Sequence, residues 1–153
     1  MSVESRPKIV GAAVQRVEDP RLLTGRGRFI DDISLPRMLH VAFLRSDHAH
    51  ARIINIETAD AANMLGVVGI YIAEDLADDF KPIRATSDMA NYRSTEMGVL
   101  ARGKVRFVGE AVVAVAAESR YIAEDAVERI TVEYDLLGDA IDPLANINDN
   151  SPL

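Results

Sequence analysis

The stretch Ala111-Val112-Val113-Ala114-Val115-Ala116-Ala117 constrains the fold more than any other part of the sequence. Its side chains are small and wholly apolar, so neither face is suited to water, and it predicts a central strand. Directly after it, Ser119 is placed to cap a helix in which Ile122, Ala126 and Ile130 line one stripe beside Ala123 and Val127. Thr131 to Asp135 then resumes as a strand, so the last unit reads as β-α-β with a right-handed crossover. Lys104 to Val108 leads into this unit as an extended piece, with Gly109-Glu110 making a break before the central strand.

The rest of the chain supplies partners for that strand. Met38 to Arg45 alternates, with Leu39, Val41 and Phe43 on one face, and Arg52 to Glu57 is a second strand rich in β-branched residues. Thr58 can cap a helix over Asp60–Leu65 that Gly66 stops, and Val67 to Ile72 is apolar enough to be buried on both faces. Near the start, Asp19 suits an N-cap, Pro20 the first helical position and Gly25 the position just past the end of a single helical turn. A short extended piece, Arg26 to Ile30, is closed by a turn at Ser34-Leu35-Pro36-Arg37. Periodicity vanishes over residues 78–102, a connection that a compact domain seldom carries unless it is functional, ordered by a partner or mobile. The pattern is that of an α+β domain, with about six strands in a mixed sheet and two main helices. One domain is expected over 1–153, with a core at 8–142 and an exposed tail at 143–153.

Composition excludes several function classes. The 153 residues include no cysteine, so this chain forms no disulfide, no Cys-ligated zinc site and no iron–sulfur cluster, and thiol chemistry is closed to it. No apolar run approaches the length of about 18 residues that a spanning helix needs, and the first residues lack the pattern of a signal peptide, so a cytoplasmic location is expected. The net charge of −7 argues against nucleic acid as a partner. Its distribution is uneven, +3 over residues 1–52 and −10 over 53–153, and the basic residues are mostly arginine. Arginine makes planar, bidentate pairs and is enriched where proteins meet, although genome base composition gives the same bias.

Few residues assemble into chemistry. His48 and His50, two apart in an extended segment, share a face and have the spacing of metal ligands, with Asp47 and His40 as the only local additions; the plainer account is hydrogen bonding to backbone or to a partner where a strand ends. Gly25-Arg26-Gly27 lacks the preceding strand and third glycine of a dinucleotide loop. Glu110 is a carboxylate beside a buried strand, which suits either an acid–base group or, better, a hydrogen-bond acceptor at a β-bulge, since no nucleophile or second carboxylate is placed to work with it. Arg16, Asp19 and Arg21, with Arg26 and Arg28, make an arginine-rich cluster suited to docking or to a solvated turn.

Several stretches taken together resemble a known family. Val10-Gly11, then Arg16-Val17-Glu18-Asp19-Pro20-Arg21-Leu22-Leu23-Thr24-Gly25 and Phe29-Ile30-Asp31-Asp32, resemble the opening of the molybdenum-binding large subunit of the xanthine dehydrogenase, aldehyde oxidase and carbon monoxide dehydrogenase family. Phe43-Leu44-Arg45-Ser46-Asp47-His48-Ala49-His50-Ala51-Arg52-Ile53 is similar to a second signature, in which proline often stands where Asp47 is. Val105-Arg106-Phe107-Val108-Gly109-Glu110-Ala111-Val112, Ala123-Glu124-Asp125-Ala126 and Val132-Glu133-Tyr134-Asp135-Leu136-Leu137 complete the set, in order along the chain.

The resemblance implies an α/β-hammerhead fold and a part in an oxidoreductase that hydroxylates its substrate with oxygen from water at a molybdopterin centre. It implies molybdopterin cytosine dinucleotide in the parent enzyme, with 2Fe-2S clusters and FAD on partner subunits. It assigns no catalytic, cofactor-binding or metal-ligating residue to this chain, because the family's pterin loops and active-site glutamate lie beyond the matched stretch. What it leaves to these residues is a scaffold that packs against the remainder of the large subunit and faces the iron–sulfur small subunit, with a flavin subunit as a further partner. Candidate interface residues are Arg16, Asp19, Arg21, Arg26, Arg28, Arg45, His48, His50 and Glu110. The alternatives are a free-standing docking module of a split enzyme, and a small metal-binding protein using His48 and His50.

Overall fold

The computed structural model describes residues 10–138 together with Asp142 and Leu144. The expected tail at 143–153 therefore lies outside the described residues apart from Leu144. The chain divides into two compact units, Met1–Pro36 and Arg37–Leu153.

Among the described residues, the first unit holds one short helix, α1 (Asp19–Leu23), and a single 3₁₀ turn at Ile30–Asp32. The helix starts one residue earlier than the capping pattern suggests: Glu18 is the N-cap, and Asp19 sits in the first turn, where its carboxylate meets the Arg16 guanidinium at 3.4 Å. Proline is tolerated at either early position because the first N–H groups of a helix have no acceptor within it. The C-terminal signal holds. Gly25 takes φ +69°, and the N–H of Arg26 reaches back to the Arg21 carbonyl at 2.9 Å, closing the last turn.

The second unit contains β1 (His40–Arg45), β2 (Ala51–Glu57), α2 (Ala59–Ala62), β3 (Val67–Tyr71), β4 (Ile83–Arg84), β5 (Glu96–Met97), β6 (Lys104–Val105), β7 (Ala111–Ala117), α3 (Arg120–Val127) and β8 (Thr131–Leu136). The strands form one sheet in the order β1-β7-β3, a second in the order β6-β2-β8, and a two-stranded ribbon of β4 and β5. The described pairings are antiparallel throughout, so the strands lie in small antiparallel sheets and not in one mixed sheet. The α+β hammerhead class stands, with eight strands among the described residues.

The central strand is where its composition puts it. β7 lies between β1 and β3, and Val112, Val113 and Val115 are fully buried. Each such valine contributes roughly 1.5–3 kcal/mol relative to exposure. Helix α3 packs on β1 and β7, with Ala123 and Ala126 buried; small side chains there let its axis lie close to the sheet. Ser119 caps it as expected, its hydroxyl accepting from the Ile122 N–H at 3.2 Å. The same core cluster takes in Ala51 of β2 and Val105 of β6, so both three-stranded sheets share it.

Three expectations give way. β8 does not return to β7's sheet as a β-α-β crossover: both edges of β7 are occupied, and β8 pairs antiparallel with β2, from Ala51 opposite Leu136 to Glu57 opposite Thr131. β3 is not buried on both faces, because it is an edge strand whose Val68 and Tyr71 are exposed. Helix α2 stops at Ala62 and not at Leu65, and Thr58 precedes it without a side-chain capping bond. The chain then turns through Gly66, whose φ of +89° suits a residue without a Cβ.

Candidate subunit interface

The arginine-rich cluster belongs to the first unit. Arg16 pairs with Asp19, and Arg21 with Glu18 at 3.3 Å, on largely exposed side chains, where such pairs contribute about 0–1 kcal/mol. Arg26 and Arg28 are exposed.

The second unit brings Arg45, His48 and Glu110 together around a residue that sequence reasoning passed over, Ser46. β1 ends at Arg45, and Ser46, only 3% exposed, ties this end to the approach to β7. The Ser46 N–H donates to the Glu110 carbonyl at 2.9 Å, and the Gly109 N–H donates to the Ser46 carbonyl at 2.7 Å. The Ser46 hydroxyl accepts from the His48 N–H and reaches the His48 carbonyl, both at 3.0 Å, which bends the chain out of the strand. Arg45 Nη1 donates to the Gly109 carbonyl at 2.8 Å while its guanidinium lies over the Phe43 ring, 5.6 Å from the centroid.

Glu110 is 9% exposed, and its Oε2 accepts from the Arg106 N–H at 2.6 Å, with the Arg106 guanidinium 4.0 Å from Oε1. Gly109 beside it has φ +91°, and the β1–β7 register slips at Leu44/Arg45, so the carboxylate braces a tight turn next to a bulge. Nothing in this arrangement presents the carboxylate to a nucleophile. It positions backbone.

The two histidines have separate partners. The His48 ring meets Tyr134 edge-to-face with centroids 4.9 Å apart, and its Nε2 lies 3.3 Å from Asp47. His50 Nδ1 is 2.6 Å from the Gly138 carbonyl and so carries the proton, while the buried Nε2 has no hydrogen-bond partner among the described residues. Among the described residues no three His, Asp or Glu side chains are grouped to hold a metal ion. Burial pushes the Tyr134 phenol above its ordinary value of 10.0; a hydrogen bond with the Ser46 side chain opposes the rise, and the Asp47 charge adds to it.

Residues 78–102, read as irregular, are so apart from the β4–β5 ribbon, where the Arg84 guanidinium grips the Glu96 carboxylate. With the turns that follow β3 they enclose an open cleft of about 590 Å³, lined by Leu76, Phe80, Met97, Val99 and Phe107, with Glu110 at its wall.

A pterin dinucleotide would need converging backbone N–H groups at a glycine-rich turn before a long helix. The described residues do not fit it. The turn at Gly25-Arg26-Gly27 runs into a three-residue 3₁₀ turn bearing two aspartates, and the first turn of α3 is already capped by Ser119.

An antiparallel core built on β7 and capped by one short helix, with Ser46 and Glu110 bonded into turns, defines an α+β domain. The sequence matches the family described as aldehyde oxidase and xanthine dehydrogenase, a/b hammerhead domain, over residues 24–138, and the chain belongs to that family. It is 40% identical to the nicotine 6-hydroxylase large subunit of Paenarthrobacter nicotinovorans over 91% of this chain and 17% of that one. With the carbon monoxide dehydrogenase large chain of Afipia carboxidovorans it shares 39% identity over 94% of this chain and 17% of the other. The crystal structure of quinoline 2-oxidoreductase from Pseudomonas putida 86 superposes with a TM-score of 0.78 at 50% identity, over 84% of this chain and 16% of that chain. The chain thus spans about a sixth of the length of these relatives.

Proposed function

We propose that these residues serve as a structural and subunit-interface domain of a molybdenum hydroxylase large subunit, with no catalytic group of their own. The observation that carries this reading is the fate of Glu110. The signature's buried carboxylate is committed to the Arg106 N–H and to the turn that joins β1 to β7, so it supports geometry and not proton transfer. The remainder of the large subunit, an iron–sulfur subunit and a flavin subunit are the proposed partners, in the cytoplasm. The parent reaction is hydroxylation with oxygen from water; the molybdopterin cytosine dinucleotide it needs, like the 2Fe-2S clusters and FAD, is held outside these residues. Relatives named for carbon monoxide, nicotine and quinoline all match this stretch, which supports a reading in which substrate choice lies outside it.

The test is the size and activity of the native protein. Intact-mass measurement on protein from the source cells should give a polypeptide several times longer than 153 residues. Purified 153-residue chain should turn over none of these substrates. Turnover by that chain alone overturns the reading, and a native chain of this length replaces it with a separate docking subunit.

A further inference from the structure

We draw no further inference here: the strongest candidate, the open apolar cleft that the turns after β3 and the β4–β5 ribbon enclose beside Phe107 and Glu110, carries none, because nothing in the structure shows what fills or covers it.

Discussion

Glu110 and Tyr134 are the residues whose environments make the sharpest demands. Glu110→Ala leaves the Arg106 N–H without its acceptor and should destabilise the chain by about 1–3 kcal/mol, as for a buried donor left unpaired. Glu110→Gln keeps an acceptor oxygen and should recover most of that loss in urea-midpoint measurements. If glutamine is as damaging as alanine, the carboxylate's charge, and not its hydrogen bond, is what the turn requires. For Tyr134 the sign follows from its raised value. The folded state holds the phenolic proton more tightly than the unfolded chain, so this contribution is complete below pH about 10 and is lost as pH rises through the folded-state value. Unfolding midpoints measured above pH 10 should therefore fall more steeply for the wild type than for Tyr134→Phe. Identical slopes would show that burial of this phenol does not couple to stability. At this scale the sequence was only partly legible. Glu110 as a hydrogen-bond acceptor at a bulge could be read from the glycine before it and the apolar run after it. Ser46 could not, because a serine between an arginine and an aspartate carries no sign that it will be buried.

Elements formed where local signals agreed. β7 and the Ser119-capped α3 follow from a wholly apolar run and a cap followed by a 3.6-residue stripe, neither of which has a competing solution. β1 was legible as a strand but not as a side. Its alternation separates Leu39, Val41 and Phe43 from His40, Ala42 and Leu44, and the more apolar set is the one turned outward. Substitutions on the two faces should therefore behave oppositely to what hydropathy suggests. Val115→Ala, beneath α3, should cost about 2 kcal/mol from two lost methyl groups and the space they leave. Phe43→Ser should cost the isolated chain no more than about 1 kcal/mol, the span of strand propensity at an exposed site. Chemical denaturation of both variants decides it, and a larger loss at Phe43 would mean that this face is already covered in the isolated chain.

For the whole molecule, the shared core decides cooperativity. Val112, Val113 and Val115 of one sheet and Ala51 and Val105 of the other belong to the same buried cluster, so neither three-stranded sheet has a core of its own. Hydrogen exchange should give the amides of β7 and β2 the same highest protection, as expected for elements that open only together. Protection that separates by sheet would show two independent cores. The sequence by itself determined the strand at β7, the capped helix after it, the irregular stretch before it and the family, because these rest on neighbouring residues and on motifs in a fixed order. Tertiary structure alone decided that β8 joins β2, that Ser46 anchors the end of β1, and which face of β1 is covered. The physical reason is that a two-residue alternation defines two faces but does not choose between them; packing of distant elements makes that choice.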